Sequence, residues 1–264
     1  MARMNPDASL TGSVGNFSFY KMKGVDKPIV RSKGGASKQK IKTHPGFEAT
    51  RRINAEFGGR ATASKWIMRM LWPQKALADH NIAGPLNALM KPIQEMDNGS
   101  EYGKRNIALS QNPSILEGFS LNRKIGFDTI VRAHLGCTVS RNNLQARVEI
   151  PALLPAINLY APNTHPLYGI TIVMGIIPDL FYTPHQYAPR TDYSHHGPEV
   201  NMTTWYPALE GSPATTLEIK YPVIPPDEQF SIIISIGIRF GMMRSATLID
   251  QAPYAGAARV LAMA

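Results

Sequence analysis

The chain has 264 residues, 44% of them hydrophobic and 18% charged, with a single cysteine and a formal net charge of +9. That length fits one large or two small domains with a sizeable core, and the composition excludes an intrinsically disordered chain. Apolar runs such as "SIIISIGI" stop at strand length, the opening "MARMNPDASLTGSVGN" has no apolar segment and Cys137 stands alone, so no membrane-spanning helix, secretory signal or internal disulfide is expected.

Charge is placed unevenly along the chain. Residues 1–60 hold twelve Lys/Arg against four Asp/Glu, whereas residues 61–264 hold sixteen against fifteen. A basic arm on a near-neutral body points to an acidic partner, either nucleic acid or the face of a neighbouring subunit.

The first element in chain order is "VGNFSFY" (14–20), where Phe17 and Phe19 alternate with polar neighbours as in a half-buried strand. "KMKGVDKP" supplies a turn and "PIVRS" (28–32) returns as a second strand. Such a hairpin is marginal in water by itself and needs something to pack against. "KGGASKQKIK" then reads as an extended or loosely held linker, because its glycine pair costs entropy in any regular element.

Helical signals begin at Thr43. Thr43 or His44 can cap, Pro45 suits the first turn, Glu48 complements the dipole, and Phe47, Ile53 and Phe57 share one stripe. Gly58-Gly59 is expected to break this helix before "RATASKWIMRML" resumes as a second. A third, over 82–96, carries an apolar seam of Ile82, Leu86, Leu89, Ile93 and Met96.

Beyond "NPSILEGFSLN" the pattern becomes that of strands, over "FDTIVRAHL", "LQARVEIP", "AINLYAP", "LYGITIVMGIIP", "ATTLEIKYPVI", "QFSIIISIGIRFG" and "AARVLAM". Short strands with Pro, Asn and Gly between them predict an antiparallel β-sandwich, immunoglobulin-like or Greek-key. The expected class is therefore α+β: a basic arm with a β-hairpin (1–43), a helical segment (44–111) and a sandwich (112–264). Residues 181–214, rich in Pro and aromatics, read as an ordered surface excursion.

The stretches "GSVGNFSFYKMKGVDKPIVRSKGG" and "FEATRRINAEFGGRA" resemble a group of uncharacterised proteins of Bacteroidota bacteria. That group opens with a Gly-x-x-Gly-Asn strand, a Tyr, a tight turn, a Val-Arg strand and a helix carrying an Arg. "LEGFSLN" and "LYAPNTHPLYGITI" are similar to its strand-rich C-terminal half. The resemblance implies a fold, and no enzymatic activity.

Chemistry-bearing clusters are few. "HQYAPRTDYSHHGPE" offers His185, His195 and His196 as metal ligands, but adjacent histidines on a strand face opposite ways and no H-E-x-x-H pairing occurs. His134 and Cys137 would face opposite sides of a strand, and no glycine run has the spacing of a nucleotide loop. The basic set Lys21, Lys23, Lys27, Arg31, Lys33, Lys38, Lys40, Lys42, Arg51 and Arg52 stands out instead. Phe17, Phe19, Tyr20, Tyr187, Tyr193 and Trp205 are candidate interface aromatics.

These features predict a non-enzymatic structural subunit that assembles with copies of itself into a filament, tube or shell through its arm. The alternative is a protein that binds or packages nucleic acid with the same basic segment. No cofactor, metal or small-molecule substrate is expected. The expected location is the cytoplasm, with a phage-like or other large assembly left open.

Overall fold

The computed structural model describes residues 3–4, 10–21, 27–184, 186–245 and 248–264. Helices and antiparallel sheets are mixed, as the α+β class requires, and the chain divides into two compact units, Met1–Arg51 and Arg52–Ala264.

The first unit is a four-stranded antiparallel sheet in chain order, β1 (Arg3–Met4), β2 (Leu10–Val14), β3 (Phe17–Tyr20) and β4 (Ile29–Ser32), followed by helix α1 (Lys38–Thr43). The expected hairpin is present, with Phe17 opposite Ser32 and Tyr20 opposite Ile29. The expected strand over 14–20 is two strands, because Gly15 and Asn16 turn the chain and Val14 pairs back onto Phe17. Gly15 sits at φ +51°, a left-handed conformation open to glycine at little cost.

The lysine-rich segment is likewise not an extended linker. Ser37 takes an extended backbone and its Oγ accepts the Lys40 amide at 3.2 Å, so the Lys and Gln residues behind it propagate a helix turn. Lys40 and Lys42 then lie in its last turn, where cations suit the dipole.

Helix α2 (Glu48–Met70) is a single helix of 23 residues. Gly58-Gly59 does not break it, because Gly59 serves packing. A Cβ there would come within 2.8 Å of the Tyr187 ring, so only glycine lets that ring meet the helix. Helix α3 (Ala83–Glu95) matches its predicted seam at Leu86 and Ile93, both buried, while Met96 lies outside it and exposed.

Among the described residues the second unit contains ten further strands: β5 (Gly136–Ser140), β6 (Gln145–Ile150), β7 (Leu167–Pro178), β8 (Phe181–Tyr182), β9 (Tyr187–Ala188), β10 (Glu199–Met202), β11 (Tyr206–Pro207), β12 (Thr215–Lys220), β13 (Phe230–Met243) and β14 (Ile249–Met263). The main sheet runs β10-β7-β13-β14, with β11 also on β7, and a smaller sheet runs β12-β6-β5. "FDTIVRAHL" begins as a short helix and "AINLYAP" as a turn, so neither is a strand, whereas β5, β8, β9, β10 and β11 went unpredicted. The presumed excursion at 181–214 contributes β10 and β11 to the main sheet.

Two apolar clusters lie on opposite faces of that sheet. Ile170, Ile172, Met174 and Ile176 of β7, with Ile232, Ile234, Ile236, Ile238 and Phe240 of β13, pack against Ala146, Val148, Leu217 and Ile219 of the smaller sheet. Ile177, Ile233, Ala258 and Val260 face α2, α3 and the turn between them through Ile67, Met70, Leu77, Leu86 and Met90. Coverage of both faces explains why β7 and β13 read as unbroken apolar runs rather than alternating ones. The helices of 52–96 therefore share a core with the sheet instead of standing as a separate segment.

Candidate functional site

The amino-terminal unit collects most of the basic residues singled out by sequence, and its sheet has two unlike faces. Residues directly opposite one another across an antiparallel pair share a face. Val14, Phe17, Phe19 and Val30 accordingly lie on one side, and Ser13, Ser18, Tyr20, Ile29 and Arg31 on the other. Val14, Phe17 and Val30 are each 52% exposed. Of the described residues from 11 to 51, none is buried.

Around this sheet the charge is one-sided. The unit Met1–Arg51 carries ten Lys/Arg against three Asp/Glu. Lys27, Arg31, Lys38, Lys40 and Lys42 are exposed and enter no ion pair among the described residues; Lys21 is exposed at the end of β3. Lys33 donates to the Gly15 carbonyl at 3.0 Å and so fastens the chain after β4 to the preceding turn.

Two of the predicted cations are committed elsewhere. Arg51 donates to the Ile41 and His44 carbonyls at 2.8 and 2.9 Å, stapling α1 to the start of α2. Arg52 pairs with Glu101 at 3.2 Å in the second unit. Lys23 and His185 lie outside the described residues.

The aromatics expected at an interface divide sharply. Phe17, Phe19 and Tyr20 belong to the amino-terminal sheet, and Trp205 is half-buried under the Arg239 guanidinium, 4.3 Å from its ring. Tyr187 and Tyr193 are buried and belong to the body's own packing. The Tyr187 hydroxyl accepts from Gln94 at 3.3 Å, and burial pushes its pKa up to about 12. Tyr193 donates to Asp227 at 2.7 Å, and burial, then that bond, raises its pKa too.

The other candidates do not assemble. His195 is exposed whereas His196 is buried between Tyr193 and Tyr221, with ring centroids at 5.1 and 5.9 Å. Among the described residues no three His, Cys, Asp or Glu side chains converge as metal ligands. Burial pushes the Cys137 thiol up to about 11, which holds it protonated, the reverse of what a nucleophile needs.

Burial, foremost, also holds the His196 imidazole below its ordinary range, aided by Arg69 and His195 and opposed by the Ile224 backbone and Asp192. A lowered imidazole pKa means that the fold resists protonation. The His196 contribution to stability is therefore insensitive to pH above the unfolded value, near 6.5, and falls as pH drops below it. Urea denaturation at pH 7.5 and 5.5 should show the loss, and His196→Phe should remove most of it.

No family model, curated protein or solved structure matches the chain. No helix among the described residues is long and apolar enough to cross a membrane.

Proposed function

We propose that this is a non-enzymatic structural subunit whose amino-terminal unit docks on another copy of the chain, building a filament, tube or shell. The observation that carries this is a folded sheet with no buried residue among those described from 11 to 51. A small sheet is stable only if it buries an apolar face, and Val14, Phe17 and Val30 are uncovered. The body supplies the rigid part; on this reading its two sheets with a shared apolar cluster form a sandwich of Greek-key or immunoglobulin-like kind.

Charge decides the geometry of docking. Two amino-terminal units placed face to face would oppose ten Lys/Arg to ten, with only three Asp/Glu on each side. Like-charge repulsion disfavours that two-fold pairing. The arm therefore meets a different surface on its neighbour, a head-to-tail contact that closes into a ring or continues as a filament.

Sedimentation velocity tests this. The wild type should form concentration-dependent oligomers, and Phe17→Ser with Val30→Ser should leave a single-chain species whose thermal unfolding matches the parent. A wild type that stays a single chain at every concentration would contradict it.

A second reading has its own observation: exposed cations flank an aromatic pair on the central strand β3, the arrangement on which single-stranded nucleic acid stacks. Binding of that kind collapses between low and moderate salt and weakens when Lys38, Lys40 and Lys42 become Gln.

A further inference from the structure

A two-lobed cleft in the body takes no part in the amino-terminal unit. It lies where the carboxyl end of α3 and the following loop meet β8. One lobe, of about 220 Å³, is lined by the amide side chains of Asn98, Gln111 and Asn112, with Ile93 and Phe181 as apolar surface. The other, of about 510 Å³, is bounded by Ser100, Glu101, Lys104, Thr183 and Arg190, so two cations there face one carboxylate. Asn106 and Phe181 line both, so the lobes adjoin.

The wall between the lobes is held by hydrogen bonds. Asp97 accepts the Gly99, Ser100 and Asn106 amides at 3.0, 3.1 and 2.7 Å. Asn106 in turn accepts the Tyr182 amide at 3.0 Å and donates to the Ser100 hydroxyl at 3.0 Å. The Ile107 and Leu180 backbones exchange bonds of 2.8 and 3.0 Å beneath it. A cleft fixed this way costs a ligand little reorganisation.

The groups facing the cleft are not used up by the fold. Among the described residues, the Asn98, Gln111 and Asn112 side chains make no hydrogen bond. Asn112 stands at the amino-terminal cap of the turn Pro113–Leu116, a position where Asn ordinarily caps, yet its side chain makes no cap bond. In the other lobe Lys104 is paired with Glu101 at 2.9 Å. The Arg190 guanidinium lies over the Phe181 ring, 4.0 Å from its centre; it helps to hold the Asp227 carboxyl below its ordinary range but makes no ion pair among the described residues.

We infer that this cleft binds an acidic sugar unit of a glycan, with hydroxyls in the amide lobe and the sugar carboxylate at Arg190. An amide offers a donor and an acceptor side by side, as neighbouring sugar hydroxyls do in complement. A guanidinium fork matches a carboxylate bidentately. An extended peptide fits less well, because peptides are held by a long free strand edge and β8 has two residues already paired with β9.

The test uses the full chain, with side-chain amide signals followed by NMR during titration. Trigalacturonic acid should shift the Asn and Gln amides with a Kd on the order of 1 mM or tighter, and maltotriose should bind at least about tenfold more weakly. Gln111→Ala with Asn112→Ala should weaken both sugars by about tenfold or more, and Arg190→Gln should erase the preference for the acidic one. All variants should melt with the parent, since none of these side chains is buried. No shift at about 10 mM sugar, or a preference that survives Arg190→Gln, would overturn the inference. Either result leaves the assembly reading untouched, because the cleft is confined to body residues.

Discussion

Glu56→Ala should lower the free energy of unfolding by about 3–5 kcal/mol, the largest loss expected from removing one charged side chain. Glu56 is 3% exposed on α2, and its two oxygens receive Arg105 Nε at 2.6 Å and a second guanidinium nitrogen at 2.7 Å. The Gly103 amide adds a third bond at 2.9 Å. Burial by itself would raise the carboxyl pKa, but Arg105 and the Gly103 amide outweigh it and hold Glu56 below the ordinary range. The depressed value means this contribution is present above the unfolded carboxylate pKa and is lost as pH falls through the folded one. Truncating Glu56 leaves a part-buried guanidinium without its counter-ion, and that orphaned charge is the source of the cost. Replacing both partners, Glu56→Leu with Arg105→Met, should recover most of the loss in urea denaturation. If the double variant is no better than the single one, the orphaned charge is not the cause.

Phe240→Ala should cost about 3–5 kcal/mol through lost burial and the cavity left behind. Phe240 is fully buried on β13, opposite Tyr168, in the cluster shared by the two sheets. The same truncation at Phe17, 52% exposed, should change stability by no more than about 0.5 kcal/mol. Equilibrium denaturation of the two variants, compared at equal m-value, separates a residue that holds the body from one that waits for a partner. A large loss at Phe17 in the single chain would mean that the amino-terminal sheet already has a core.

The body was legible wherever local pattern and tertiary role agree. Unbroken apolar runs marked β7 and β13 because both of their faces are covered, and the seam of α3 was visible in the spacing of Leu86 and Ile93. Misreadings arose where a distant contact decides. Gly59 looked like a helix breaker, and only the Tyr187 ring against it explains a glycine inside α2. Tyr187 and Tyr193 looked like interface residues because neither Gln94 nor Asp227, their hydrogen-bond partners, is near them in sequence. The lysine run hid a helix turn whose only local sign is Ser37. The cleft had no sequence signal at all, since Asn98, the Gln111-Asn112 pair and Arg190 come from three separate segments and share no motif.

Amide hydrogen exchange, compared at concentrations below and above assembly, bears most directly on whether the first sheet depends on other copies. In the solitary chain the amides of β3 and β4 should exchange rapidly while those of β7 and β13 stay protected, and assembly should slow the former. Slow exchange throughout β3 and β4 in a chain that sediments alone would mean that this sheet holds itself, and the proposed docking on a neighbour would have no physical need.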